Sequence, residues 1–365
     1  QEFGLVERRK HDAADVERDR ARDGHGGKTY RSRNQGDPDR EAQPRERDPR
    51  GVEQSVAYSL RHENIMQQPT ADNSMSNASE SQLASMVMMI RPAGFESNPL
   101  TAETNTFMVE TSKPPVEQQA EAVREFDGLV QVLRAAGITV VVIDDTPEPH
   151  TPDAIFPNNW ISTHADGRVV LYPMEAENRR TERRRDVVEF LEAECGRLVT
   201  EVIDMSGHES AGHFLEGTGS MVLDRANRIA YACVSSRTHL DPLGDFAQRM
   251  NYEVVVFDAV DDDGLPIYHT NVLMNIGERF AVICDAAIPR AEQREAVLAR
   301  LHETGHEIIH LSYAQLHAFA GNMLELRSSD GDRVVAMSEQ AWNSLDDRQR
   351  ELLAENGRIV YSPIK

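Results

Sequence analysis

His269 and Asn271 stand in the stretch Leu265-Pro-Ile-Tyr-His-Thr-Asn-Val-Leu-Met-Asn275, between an acidic turn, Asp261-Asp262-Asp263-Gly264, and an apolar run. A loop His titrates near neutral pH and can take up and return a proton. Read as the start of a strand, residues i and i+2 share a face, so His269 and Asn271 point at one ligand. The alternative is a His held by a structural hydrogen bond. Other polar residues sit in similar loops: Asn158-Asn159, Glu216 beside Gly217 and Gly219, and Gly321-Asn322. Glu216 follows Phe214-Leu215, which predicts a buried carboxylate. Asn158-Asn159 also fits an ordinary turn, and Gly217 and Gly219 fit both a bulge and a close backbone approach to a ligand. Arg237, in Ser235-Ser-Arg-Thr238, reads equally as an anion ligand or a structural residue. The Arg179-Arg180 and Arg183–Arg185 cluster reads as a solvated helix face.

The elements that position these residues recur. From Val116 to Ala136 the spacing of Ala120, Val123, Phe126, Leu129, Val130 and Leu133 is helical. Gly137 caps that helix, and Ile138-Thr-Val-Val-Val-Ile143 is a β-branched strand. The same unit returns at Arg184–Glu194 before Leu198–Ile203, and at Leu243–Met250 before Glu253–Phe257. It returns again at Ala291–Glu303 before Glu307–Leu311, and at Asp346–Glu355 before Arg358–Tyr361. The stops fall at 137, 196, 251, 305 and 357, a period near 55 residues, which signals repeats. Each unit continues with a loop, a strand, a polar turn and another strand, as in Ser220–Asp224 and Ile229–Val234, or Asn322–Leu326 and Val334–Met337. Five copies can close into a ring that hides most sheet edges. Equivalent loops then gather at one end of the axis, bringing Asn158, Asn159, Glu216, His269, Asn271 and Asn322 together. The opening strand Val87–Ile90 is expected to join the last repeat.

Residues 1–85 differ from the rest. Their mixed charges and the Ser- and Asn-rich stretch from Thr70 to Ser85 offer too little to bury, which predicts disorder or a non-native extension ahead of a globular domain at 86–365. Either Met75 or Met86 fits a start. The net charge of −22 argues against partners bound through nucleic-acid phosphates and against an anionic membrane surface. No run reaches the roughly 18 apolar residues of a membrane span. The three cysteines, Cys195, Cys233 and Cys284, lack metal-ligand spacing and read as small buried residues in a reducing compartment, hence a cytoplasmic protein. No metal or cofactor is expected: His269 has no second His at ligand spacing, and His208 and His213 lie in a polar loop.

Five strand–loop–hairpin–helix repeats with these loops resemble the guanidino-group-modifying superfamily, the pentein fold, an α/β propeller of five pseudosymmetric repeats. The group holds arginine deiminases, dimethylarginine hydrolases and amidinotransferases, and the citrulline-utilisation hydrolases are the most similar. The resemblance rests on Thr146-Pro-Glu-Pro-His-Thr-Pro-Asp-Ala-Ile-Phe-Pro-Asn-Asn-Trp160, Phe214-Leu-Glu-Gly-Thr-Gly-Ser-Met-Val-Leu-Asp-Arg225, Pro266-Ile-Tyr-His-Thr-Asn-Val272 and Phe319-Ala-Gly-Asn-Met-Leu324. It implies His269 as acid/base, Glu216 as the carboxylate that pairs with it, and Asn159 and Asn271 where arginine deiminases carry guanidinium-binding carboxylates. It places Arg237 on the substrate α-carboxylate, with Arg179 or Arg180 as a second anion ligand and Asn158 beside the substrate. A guanidinium is a donor-only cation suited to carboxylates, whereas an Asn offers one donor and one acceptor. The Asn pair therefore favours the neutral ureido group of citrulline, cleaved to ornithine, carbon dioxide and ammonia. The resemblance also suggests a homodimer that binds a small amino acid.

The family's nucleophile is a Cys in a Gly-rich fifth loop, expected shortly after Arg358–Tyr361, where this sequence reads Ser362-Pro-Ile-Lys365. None of the three cysteines lies in an equivalent loop. The expectation is an incomplete fifth repeat and no turnover. The alternatives are a catalytically inactive amino-acid-binding homologue, and an amidinotransferase or methylarginine hydrolase acting on a cationic group.

Overall fold

Amphipathic spacing places the crossover helices almost where the sequence predicts. On the first, α1 (Pro115–Ala135), Ala122, Phe126, Val130 and Leu133 are buried. The others are α2 (Arg185–Ala193), α3 (Leu240–Met250), α4 (Ala291–Glu303) and α5 (Asp347–Asn356). Gly137, Gly196, Asn251 and Gly305 take the left-handed conformation that ends a helix, while Gly357 is extended.

The computed structural model describes residues 80–364, apart from residues 103, 106, 108–111, 194 and 197. These belong to one compact unit. The strands are β1 (Met86–Arg91), β2 (Thr139–Asp144), β3 (Ile161–Thr163), β4 (Arg168–Leu171), β5 (Glu201–Asp204), β6 (Val222–Asp224) and β7 (Ile229–Cys233). They continue as β8 (Glu253–Phe257), β9 (Met274–Ile276), β10 (Phe280–Ile283), β11 (Glu307–His310), β12 (Leu324–Arg327), β13 (Arg333–Ser338) and β14 (Arg358–Ser362). Four sheets have three strands, in the orders β3-β4-β5, β6-β7-β8, β9-β10-β11 and β12-β13-β14. In each, the central strand runs antiparallel to the first and parallel to the last, as when Val282 faces Asn275 on one side and Ile309 on the other. A helix makes each parallel crossover, as such a connection requires. In the fifth sheet β1 and β2 pair in parallel, with Met88 opposite Val141, and among the described residues no third strand joins them. The chain is thus a mixed α/β fold.

Two local readings are corrected. Ser220 closes a helical turn, Gly217–Ser220, within the expected loop rather than opening the strand, and β6 begins at Val222. Likewise Thr270–Leu273 is a helical turn, with β9 beginning at Met274. Apolar runs this short do not distinguish strand from buried helix.

Most of the expected N-terminal extension, residues 1–79, lies outside the described residues. Residues 80–85 were assigned to it by sequence, yet they pack on the folded unit. Glu80 and Leu83 are buried. The Gln82 amide donates to Leu223 O, in the middle of β6, and to Ile276 O, at the end of β9, at 3.0 Å each. Glu80 meets Arg225 at 2.9 Å. The chain's low apolar content there hid this, because polar side chains make the attachment. Among the described residues no helix is long and apolar enough to cross a membrane.

Candidate active site

The helical turns that replaced the expected strand starts are what aim the site. Glu216 sits just before the turn Gly217–Ser220 and is fully buried. Its backbone N–H donates to Arg237 O at 3.2 Å and Ser220 Oγ at 2.9 Å, while Ser220 Oγ donates to Arg237 O at 2.7 Å. These bonds fasten the Glu216 loop to the Arg237 loop. His269 precedes the turn Thr270–Leu273, whose Thr270 Oγ1 donates to Ser220 O at 2.6 Å. Two neighbouring sheets are thereby locked at their site ends.

Within this frame His269 Nε2 and Glu216 Oε2 are 2.9 Å apart, and both residues are buried. Glu216 Oε2 also lies 3.5 Å from Arg237 Nη1 and 3.8 Å from Arg179 Nη1. Burial opposes the carboxylate charge, but the His269 hydrogen bond and the two guanidinium charges hold Glu216 well below the usual carboxylate range. Burial lowers His269; the Glu216 bond works against that, and the charges of Arg237 and Arg179 add to it. The outcome is a neutral imidazole beside an ionised carboxylate, a pair able to accept a proton at the ring and stabilise the resulting cation.

Asn159 is buried at the adjoining corner, on the short helix Pro157–Asn159. Its Oδ1 accepts from Arg179 Nη1 at 2.9 Å. Because a guanidinium only donates, that bond fixes the amide orientation and turns Nδ2 the other way. A Cβ added at Gly219 would lie 2.7 Å from Asn159 Nδ2 and 2.7 Å from His269 Nδ1 and Cε1. The amide nitrogen and the imidazole therefore face the same small space, which only a glycine leaves open.

Arg179 was read from sequence as part of a solvated face, but it is buried. It forks onto Glu182 at 2.9 and 3.0 Å and lies 3.6 Å from Asp153. Although burial opposes its charge, Glu182, Glu216 and Asp153 raise Arg179 above its ordinary value. Burial pushes Glu182 up to about 7 against Arg179, with Asp153 and Glu216 adding to the rise. One guanidinium thus serves three carboxylates. No spacing signal marks Glu182 or Asp153; their role follows from the turn at 177–182 folding Arg179 inward.

Of the other predicted residues, Arg237 stays beside Glu216 while Arg180, Asn158 and Asn271 point elsewhere. Arg237 is buried, donating to Thr104 Oγ1 at 2.8 Å and to Thr101 O at 3.1 Å, with its guanidinium 4.7 Å from the Tyr268 ring centroid. Arg180 donates instead to Met174 O and Glu175 O, at 3.0 and 3.2 Å, and lies over Phe214. Asn158 contributes its carbonyl, which accepts from Thr218 Oγ1 at 3.4 Å. Asn271 lies in the helical turn, where two residues rotate the side chain by roughly 200°. It therefore does not share a strand face with His269, and its carbonyl accepts from Asn322 at 3.3 Å. Cys233 and Cys284 are buried, and burial pushes their thiols up to about 12 and about 11. Cys195, expected to be buried, is partly exposed.

Residues 91–365 match the family model described as N,N dimethylarginine dimethylhydrolase, eukaryotic. The chain belongs to this family. Among solved structures, the N-terminal domain of ArgZ, an arginine dihydrolase from the ornithine–ammonia cycle in cyanobacteria, is 18% identical with a TM-score of 0.56. The match covers 76% of this chain and 91% of that one. Unliganded AgrE aligns at 20% identity and a TM-score of 0.58, over 76% of this chain and 36% of that one. The dimethylarginine hydrolase of Pseudomonas aeruginosa aligns at 14% identity and a TM-score of 0.50, over 77% and 92%. These likenesses concern the fold, and the chain spans 36% of the full-length ArgZ and AgrE chains. No curated protein sequence matches it.

Proposed function

We propose that this chain carries the acid/base and substrate-positioning half of a hydrolase that cleaves a linear C–N bond of citrulline. The observation that carries the reading is the buried His269–Glu216 pair at 2.9 Å beside an Asn159 amide whose nitrogen is turned towards it. An N–H donor at that position suits the oxygen of a ureido group and finds no partner on a guanidinium. His269 would protonate the departing amine and later take a proton from water. Glu216 would stabilise the imidazolium, and Arg237 is proposed as the partner of the substrate α-carboxylate. With one water consumed, citrulline gives ornithine, carbon dioxide and ammonia.

The covalent step needs a thiolate. The raised, buried thiols of Cys233 and Cys284 are unsuited to that role. The five sheets support a propeller in which a further site loop would lie beside β1, since in the other sheets the strand antiparallel to the central one follows a site loop. We therefore propose that residues 1–365 bind the substrate without turning it over.

A second reading is a guanidino substrate, such as arginine or a methylated arginine. Family membership favours it, and so do the carboxylates of Asp153, Glu182 and Glu216 grouped at the site. Calorimetric titration with citrulline, arginine and dimethylarginine, with parallel assays for ornithine and citrulline release, separates the readings. Citrulline binding tightest with no product supports the first. Tighter binding of arginine-type ligands overturns its substrate, and product release overturns its claim of a missing nucleophile.

A further inference from the structure

Glu175 borders the candidate active site without taking part in the His269–Glu216 proton exchange. Its backbone N–H donates to Glu216 Oε1 at 3.2 Å and its carbonyl accepts from Arg180 Nη2 at 3.2 Å, so its backbone is pinned on both sides. The Glu175 side chain is 24% exposed, whereas that of Arg237 is 3% exposed. Glu175 Oε2 lies 3.4 Å from Arg237 Nε and accepts from Thr104 Oγ1 and Ser236 Oγ, both at 3.3 Å. These contacts are long and fall on one oxygen, and two of the donors are hydroxyls that can turn to other acceptors. On its other side Arg237 Nη1 lies 3.5 Å from Glu216 Oε2. Two carboxylates thus share one guanidinium. Burial raises the Glu175 carboxyl; Arg237 opposes that and the Glu216 charge adds to it.

We propose that Glu175 makes the site selective for free α-amino acids by receiving the ligand's α-ammonium group beside Arg237. The inference rests on the reading of Arg237 as the partner of the α-carboxylate. An amino-acid head group carries an anion and a cation on one carbon, and Arg237 and Glu175 offer the opposite charges 3.4 Å apart. Both resulting bonds join charged partners, the stronger class of hydrogen bond. Partial exposure of Glu175 leaves its carboxylate within reach of an incoming ligand, while buried Arg237 supplies the fixed charge.

Repulsion sharpens the choice, since specificity is a difference between ligands and can be built by penalising the wrong one. A ligand with a carboxylate and no ammonium would bring a third negative charge to a corner that already holds Glu175 and Glu216. Like charges so close disfavour one another's ionised forms. A zwitterion brings no net charge and escapes the penalty. The excluded ligands are therefore des-amino carboxylic acids and amino acids whose amine is blocked, as within a peptide.

The test is calorimetric titration of the full chain with citrulline and arginine and with their des-amino analogues, ureidopentanoic acid and guanidinopentanoic acid. The wild-type chain should bind the amino acid at least about tenfold more tightly than its analogue, the loss expected for one hydrogen bond between charged partners. Glu175→Gln keeps the size of the side chain and removes its charge. It should weaken the amino acid, strengthen the analogue and bring the ratio of the two affinities towards one. A residue that only holds Thr104 and Ser236 would weaken both ligands alike and leave the ratio unchanged. Thermal melts check that the variant folds, and the wild-type ratio decides if it does not. Equal wild-type affinities for amino acid and analogue, or a wild-type ratio retained in Glu175→Gln, would overturn the role of Glu175 while leaving the ureido reading standing. Binding of arginine but not citrulline would sink the ureido reading, and the arginine pair would still decide Glu175. Binding of neither amino acid would overturn both.

Discussion

Arg179 Nη1 donates to Asn159 Oδ1 at 2.9 Å while the same guanidinium forks onto Glu182. An internal cation thus occupies the acceptor of the amide that borders His269. Whatever binds beside Asn159 meets its N–H.

Asn159→Asp should exchange that donor for a charge. Citrulline affinity is expected to fall roughly tenfold to a hundredfold, because the lost donor is replaced by a carboxylate that has no partner on the ureido oxygen. Arginine affinity should hold or rise. Calorimetry reads both without requiring turnover, and an unchanged ratio of the two affinities would remove Asn159 as the group that selects the substrate.

Glu216→Gln leaves Arg179 and Arg237 facing each other without the anion between them. Breaking a buried ion network in this way costs about 3–5 kcal/mol. Urea unfolding should show that loss. The imidazole of His269 should also protonate at a lower pH, since its carboxylate partner is gone, and NMR titration of the ring checks this.

The two glycines of the Glu216 loop should fail differently. Gly217 has φ +48°, and a Cβ there would lie 2.2 Å from Asn158 O, so Gly217→Ala should destabilise the fold. Gly219→Ala instead places a methyl group between Asn159 and His269. Ligand binding should disappear with a smaller stability cost, about 1–3 kcal/mol. Paired melts and ligand titrations distinguish the two.

Glu80 offers a pH signature. Burial raises its carboxyl, but nearby His164, the Arg225 guanidinium at 2.9 Å and the Ala165 N–H that donates to it at 3.2 Å outweigh that and bring it down to about 2 from an ordinary 4.5. The folded state therefore binds fewer protons than the unfolded chain between those values. The contribution is fully present above pH 4.5 and is lost as pH falls towards 2. The shift corresponds to about 3 kcal/mol at 1.36 kcal/mol per unit. Glu80→Gln should remove that much stability at pH 6 and far less at pH 2.5, read from urea midpoints at each pH.

The buried thiols should be inert. Cys233 donates to Ile267 O at 3.5 Å and is fully buried. Iodoacetamide at pH 8 should leave Cys233 and Cys284 unmodified in the native chain and alkylate both in urea. Rapid native labelling of Cys233 would restore it as a candidate nucleophile.

Much of the frame is legible in the sequence because it rests on local rules. The 55-residue spacing of helix stops and the apolar periodicity of α1 mark elements before any contact is known. The burial of Glu216 is legible in Phe214-Leu215 ahead of it, and its nearness to His269 in the meeting of equivalent loops, whereas the pairing of the two is what the family resemblance implies. Arg179 is not legible. A run of arginines looks solvated, and nothing local says that the turn at 177–182 folds one of them onto Asn159. The strand reading of Asn271 fails for a related reason: four residues are too few for periodicity to separate a helical turn from a strand. Residues 80–85 escape because polar contacts, donated by Gln82 and accepted by Glu80, hold them together with the single buried Leu83, too little apolar area to stand out in the sequence.

Asn159, Glu216 and His269 each precede or open a different sheet, and no two of them share a hairpin. The site is therefore a property of how sheets meet rather than of any one of them. A partial opening that peels away a single sheet would erase the binding geometry while leaving most secondary structure intact. Ligand binding should consequently slow hydrogen exchange across three sheets at once, and circular dichroism would remain blind to the first step of inactivation.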